Sequence, residues 1–174
     1  MKFTLSKSKL AGYLQHVLQV VPSKSTLPIL TNILIEALEG KLKISATDLD
    51  ISMTISVDSK VVKKGSAALP AKILFDIVKE LPESEVSFET SGTRVEMKIP
   101  NGSYRIASVS AEDFPKLPAV NTRKEIKIPG QDLVKMIRKT TFACSDDDTR
   151  PALNGVLWQT KGCLLYTSPS PRDR

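Results

Sequence analysis

The chain has 174 residues, 41% of them hydrophobic and 25% charged, with a formal net charge of +6. This composition supports a packed core in one or two domains and excludes fibrous, low-complexity and disordered classes. Met1 leads directly into a strand pattern instead of a leader, no apolar run reaches the length of a membrane span, and Cys144 and Cys163 fit neither a disulfide framework nor metal spacing, which points to a reducing cytoplasmic setting.

Phe3 and Leu5 alternate with polar neighbours, so a half-buried strand opens the chain. Ser6 or Ser8 is placed to cap the helix that follows. On that helix Leu10, Tyr13, Leu14, Val17, Leu18 and Val21 recur at helical spacing and form one apolar stripe. Lys7, Lys9, Gln15, His16 and Gln19 fall off it. Residues 22–26 read as a loop, because Pro22 stops the helix and small polar residues follow. Residues 29–38 read as a strand turned at Glu39-Gly40. Leu42, Ile44, Ile51, Met53, Ile55 and Val57 read as one long alternating segment with a break near Thr47-Asp48.

Leu74, Val78 and Leu81 then repeat Leu10, Leu14 and Val17 at a shift of 64, so the unit reads as a pair of half-units. Val86 and Phe88, then Val95, Met97 and Ile99, then Tyr104 and Ile106 alternate as strands. Ser91-Gly92 and Asn101-Gly102 supply their hairpin turns. Strands outnumber helices, and each helix has one apolar face to lay on a sheet. The expected fold class is α+β, with antiparallel sheets and helices on one face.

Residues 111–118 close a first unit, taken as 1–120, and 119–124 form a linker. Shifting the chain by 123 positions then returns its opening: Phe3 lands on Ile126, Leu10 on Leu133, Leu14 on Ile137, Pro28 on Pro151 and Leu30 on Leu153. Such a register is the mark of a tandem structural unit. The second unit is expected to include a helix over 131–141, a loop over 145–150 and a strand beginning at Leu153. From Cys163 the register is lost. The expectation is an incomplete second unit, 125–162, followed by a non-native tail, 163–174, which is left out of fold reasoning.

Several motifs occur in a telling order: Met1-Lys2-Phe3-Thr4, the segment from Thr26 to Asn32, Ala46-Thr47-Asp48-Leu49-Asp50, Leu69-Pro70-Ala71-Lys72 through Phe75-Asp76-Ile77-Val78, Glu112-Asp113-Phe114-Pro115, and Arg150-Pro151-x-Leu153-Asn154-Gly155. Together they resemble the bacterial sliding-clamp family, the beta subunit of replicative DNA polymerase III. The likeness covers residues 1 to about 162. It implies a DNA-clamp fold of repeated domains, sheets outside and helices on the inner face, with the second domain truncated here. It also implies a homodimeric ring around double-stranded DNA. The implied role is a non-catalytic, cytoplasmic processivity factor without cofactor, whose partners are the polymerase and the clamp loader. A piece of this length is expected not to close a ring by itself.

The residues that would carry the function are basic. Lys7, Lys9 and the loop residue Lys24 belong to the first helix, Lys72 and Lys79 to the second, and Lys135, Arg138 and Lys139 to the third. Basic residues opposite an apolar stripe are ordinarily a solvated face. Their recurrence on three equivalent helices favours a phosphate-facing surface, whose contacts ignore base sequence and permit sliding. The resemblance places Lys24 where the family carries a DNA-contacting residue. In the corresponding second-unit loop Asp146, Asp147 and Asp148 would repel phosphate, leaving Arg150 as candidate beside a structural use of its side chain. The resemblance also places Ile77 and Tyr104 at the subunit interface, with core packing as the alternative, and Leu153 on one wall of the partner-peptide groove.

Two other readings stay open. One is a small, sequence-independent DNA-binding module with a steep salt dependence. The other is a divalent-metal enzyme built on Asp146, Asp147 and Asp148, against which stands the lack of a fourth ligand or turn glycine. His16 is the single histidine and has no paired nucleophile. No phosphate-cradling loop, nucleophile elbow or paired-histidine motif occurs, so no catalytic or metal-binding residue is assigned.

Overall fold

The opening alternation becomes strand β1 (Lys2–Ser6), which buries Phe3 and Leu5. The helical stripe becomes α1 (Lys7–Val17), which buries Leu10, Leu14 and Val17, and the turn after it buries Val20. Tyr13, Leu18 and Val21 pack half-buried against the same core. The computed structural model describes residues 1–117, 127–145, 147, 149–161 and 164–168. The chain divides into two units, Met1–Ala119 and Val120–Arg174.

In the first unit α1 is followed by β2 (Asn32–Ala37), β3 (Lys41–Thr47), β4 (Ser52–Asp58), β5 (Lys60–Lys63) and β6 (Gly65–Pro70). Then come α2 (Ala71–Glu80), β7 (Glu85–Ser91), β8 (Arg94–Ile99) and β9 (Gly102–Ala107). One sheet runs β5-β1-β7-β8-β9 and the other β4-β3-β2-β6, with every pairing antiparallel. The series β1-α1-β2-β3-β4 is therefore repeated as β6-α2-β7-β8-β9, and each series lends its first strand to the other's sheet. That exchange fuses the two half-units around one core, in which Phe3 stacks on Phe88 at 4.8 Å. Leu74 and Val78 of α2 are as fully buried as Leu10 and Leu14 of α1. The two helices pack on each other, α1 against β3 and β4 and α2 against β2 and β6.

Several local expectations are corrected. No side-chain hydroxyl caps α1: the carboxylate of Glu83 accepts the Ser8 N–H at 3.2 Å, and the Ser84 carbonyl accepts the Lys7 N–H at 2.9 Å. The strand expected over 29–38 starts only at Asn32, because Pro28–Thr31 forms a 3-10 turn, with Pro in the position where its missing N–H is harmless. The long alternating segment is a hairpin of β3 and β4. Its turn holds Leu49 at φ 86. Thr47 Oγ1 accepts the Leu49 N–H at 3.0 Å and donates to the Ile51 carbonyl at 2.9 Å, while Asp48 Oδ1 accepts the N–H groups of Asp50 and Ile51. Between β8 and β9, Ile99 pairs with Gly102, so the turn is made by Pro100-Asn101 and not by Asn101-Gly102. Between β7 and β8 the turn is Gly92-Thr93, with Gly92 at φ 58.

In the second unit α3 spans Gly130–Thr140. Pro151–Leu153 forms a 3-10 turn, so the strand expected to begin at Leu153 starts only with β10, Leu157–Lys161. It pairs antiparallel with β11 (Leu164–Ser168), Leu157 opposite Ser168, so five residues of the expected tail join a hairpin. Among residues 127–145, 147, 149–150 and 152–159 of this unit no side chain is fully buried, and Phe142 is 84% exposed. The linker 119–124 lies outside the described residues. Among the described residues no helix is long and apolar enough to cross a membrane.

Candidate nucleic-acid interface

With their apolar sides in the core, α1 presents Lys9, Gln15 and His16 to solvent, and α2 presents Lys72, Ile73, Asp76, Lys79 and Glu80. Lys72 and Lys79 are seven residues apart, two turns and about 10 Å along one helical face. Lys24 is exposed in the loop after α1. That loop is shaped from within: Ser25 Oγ accepts the Leu27 N–H at 3.1 Å, Thr31 Oγ1 donates to the Pro28 carbonyl at 2.7 Å, and the buried Asn32 amide donates to the Pro28 and Ile29 carbonyls at 3.2 Å. A groove lined by Ser23, next to Lys24, and by Lys72 joins this loop to the first turns of α2. The structure thus puts Lys72 and Ser23, the chain neighbour of Lys24, on one groove and Lys79 further along the same helix.

The electrostatics separate helices from strands. Among the described residues every ion pair lies on the strands or the turns between them: Lys2–Glu89 at 3.2 Å, Lys43–Glu36 at 3.3 Å, Lys64–Glu39 at 2.9 Å, Lys98–Glu96 at 3.1 Å, and longer contacts of Lys98 with Glu89, Lys60 with Glu85 and Arg105 with Glu96. The Lys2 ammonium bonds to Glu89 and holds its carboxyl below the usual carboxylate range. Lys7, Lys9, Lys24, Lys72 and Lys79 have no carboxylate within 4.0 Å among the described residues. The local sequence explains part of this, since the first acidic residue of the chain is Glu36.

In the second unit Lys135, Arg138 and Lys139 are exposed on α3, at a spacing that puts them on one face. Asp132 in the first turn and Arg138 and Lys139 in the last also complement the helix dipole. Arg150 is exposed, and its N–H donates to the Asp147 carbonyl at 3.1 Å. The Ser145 N–H donates to the carbonyl of the half-buried Leu153 at 2.9 Å, which closes the loop. Oriented to donate, the Asn154 amide meets the carbonyls of Ser145, Asp147 and Arg150 at 3.0 to 3.3 Å. Asp147 accepts the hydroxyl and N–H of Thr149, which lower its pKa. Asp146 and Asp148 lie outside the described residues.

Ile77 and Tyr104 are not brought together. Ile77 is half-buried on α2 against the core, whereas Tyr104 is 38% exposed on β9, an edge strand, opposite the buried Met97. Sequence reasoning missed the cap supplied by Glu83 and the groove beside Lys72. The available signal for the groove was that Leu18 and Val21 continue the apolar stripe past the helix end.

The family description "DNA polymerase III beta subunit, N-terminal domain" matches residues 1–118. The chain belongs to the DNA polymerase III beta subunit family. A beta sliding clamp of Chlamydia pneumoniae is 34% identical over 158 residues, 90% of this chain and 43% of that protein. That of Bacillus subtilis is 34% identical over 183 aligned residues, covering 100% of this chain and 48% of its own length. Among solved structures, the DNA polymerase III subunit beta of Pseudomonas aeruginosa superposes with a TM-score of 0.90 at 28% identity, over 96% of this chain and 46% of that one. The sliding clamp of Bacillus subtilis superposes at 0.89 with 32% identity, over 92% and 45%. The fold is therefore the clamp fold expected from the sequence. The chain spans less than half the length of these relatives.

Proposed function

We propose that this chain is part of a sliding clamp that encircles double-stranded DNA and tethers the replicative polymerase in the cytoplasm, with no catalytic chemistry of its own. The observation that carries this reading is the contrast in charge pairing: Lys2, Lys43, Lys60 and Lys98 on the strands each meet a carboxylate, though Lys41 and Lys63 do not, while no helix lysine has one within 4.0 Å among the described residues. Lys24, Lys72 and Lys79 contact phosphate in the first unit, and Lys135, Arg138, Lys139 and Arg150 do so in the second. Exposed, flexible ammonium groups give contacts that carry no base sequence, as a sliding protein needs. The unpaired edge of β9, with Tyr104, and separately Ile77 on α2 serve the joint to a second subunit, because an open edge is a template for strand addition. Leu153 contributes to a groove for partner peptides, through which the polymerase and the clamp loader bind.

The test is a salt titration of a fluorescent 30-base-pair duplex. This chain is expected to bind it more weakly than about 10⁻⁴ M at physiological salt, the loose end of non-specific binding. Replacing Lys24, Lys72 and Lys79 together by Ala is expected to lower the slope of log affinity against log salt by about one for each lysine that touches phosphate. An unchanged slope would remove the helix lysines from the interface. Tight binding to the short duplex would instead favour a direct DNA-binding module.

A further inference from the structure

Between the end of α1 and the start of α2 lies a groove of about 450 Å³. Its walls are Leu18, Val21, Pro22 and Phe75, and Lys72 and Asp76 stand at its rim. This volume is within the range of small-ligand sites. Phe75 is half-buried, so part of its ring serves the core and part remains to meet an occupant.

We propose that the groove takes one unpaired nucleotide of DNA, its base against Phe75 and its phosphate on Lys72. The inference rests on the reading above, in which the helix lysines face DNA. Three observations select this occupant. The lining is apolar and includes an aromatic ring, which suits the flat face of a base. Lys72, and Lys24 next to the lining residue Ser23, are unpaired cations among the described residues, so the rim favours an anion despite Asp76. An aromatic platform beside free cations is the combination that holds single-stranded nucleic acid. Bases in an intact duplex are stacked and paired, so only a nucleotide at a frayed end, a gap or an overhang reaches the ring. Asp76, an acceptor only, then receives the exocyclic amine of cytosine, which thymine lacks. The site thus distinguishes the end of a duplex from its middle.

The experiment titrates the isotope-labelled full chain, observed by NMR, with a blunt DNA hairpin and with the same hairpin carrying a four-nucleotide dC or dT overhang. The blunt hairpin is expected to shift the signals of Lys24, Lys72 and Lys79. The overhang is expected to add shifts at the Phe75 ring and the Leu18 and Val21 methyls and to tighten binding about five-fold, the low end for stacking one base on an aromatic side chain, with dC ahead of dT. Phe75→Leu is expected to abolish that gain and leave blunt-hairpin binding unchanged, while unmoved Leu14 and Leu74 methyl signals report an intact core. Overhang shifts confined to the lysines would overturn this inference and leave the duplex reading standing. No lysine shift with any DNA would overturn both. An acidic, leucine-rich peptide that fills the groove when the overhang does not would also overturn it, assigning the groove to a protein partner.

Discussion

The cap of α1 comes from 75 residues away, and its removal has a defined signature. In Glu83→Ala the N–H of Ser8 loses its carboxylate acceptor, while the Lys7 N–H keeps the Ser84 carbonyl. Loss of a side-chain cap typically costs about 1 kcal/mol, and a negative charge near a helix N-terminus adds about 0.5 kcal/mol at a solvent-exposed site. Because this bond is exposed and 3.2 Å long, the expected loss is about 1 kcal/mol. That corresponds to roughly 3–6 °C in the melting temperature of a unit this size. Glu83→Gln retains an acceptor and loses only the charge, so its expected cost is about 0.5 kcal/mol and should shrink in high salt. Ser6→Ala is expected to change stability by less than about 0.3 kcal/mol, because the N-cap hydroxyl makes no capping bond. Urea unfolding followed by circular dichroism at 222 nm measures all three. The reasoning fails if Ser6→Ala costs more than Glu83→Ala, since the cap would then be local after all.

The same glycine-to-alanine change is expected to have opposite signs at two sites. Gly12→Ala should stabilise α1 by about 0.5–1 kcal/mol, as a new Cβ there meets nothing within 4 Å and the position is helical. Gly65→Ala should destabilise by about 1–3 kcal/mol, because φ is +152 and the new Cβ would lie 3.1 Å from Met1 N and Cβ; thermal melts of both variants decide it. The depressed carboxyl of Glu89 makes stability depend on pH. The contribution of its pairing with Lys2 is complete above the ordinary value of 4.5 and is lost as pH falls through the lower folded value, so Glu89→Gln should flatten the unfolding profile between about pH 5 and 3. In the β3–β4 turn, Asp48→Ala removes the acceptor of two N–H groups and should cost about 1 kcal/mol, visible as faster amide exchange at Asp50 and Ile51.

The parts of the fold legible in the sequence are those fixed by period. Leu10, Leu14 and Val17 announce a helix face, and the alternation at Phe3, Leu5, Val86 and Phe88 announces strands with one buried side. The half-unit repeat is visible for the same reason, since Leu74 and Val78 must fill the places that Leu10 and Leu14 fill. What stays illegible depends on contacts distant in sequence or on backbone states that no period records. Glu83 looks like any surface acid until the fold brings it to Ser8. Leu49 gives no sign of a left-handed turn, because Thr47 and Asp48 impose it through their hydrogen bonds. The basic residues are legible as residues. Their lack of carboxylate partners is not, because pairing on the strands depends on cross-strand register.

That lack of partners is the physical link between fold and proposed function. Cross-strand neighbours lie about 4.5–5.5 Å apart, so lysines and glutamates on facing strands pair with little ordering of their own. A helix surface gives the same opportunity only at spacings of three or four, and α1 has no acid to use it. α2 carries Asp76 and Glu80 beside Lys72 and Lys79, whereas α1 bears lysines without an acid and α3 sets Lys135 beside Arg138 and Lys139, at the expense of a few tenths of a kcal/mol per close pair, screened over about 8 Å at physiological salt. A merely solvated face has no need of that sign bias, and compensating glutamates would restore the loss. In the proposed function, phosphate is the countercharge supplied from outside. On that proposal each contact is exposed, single and flexible, so the attraction is expected to hold the protein near DNA without fixing its register.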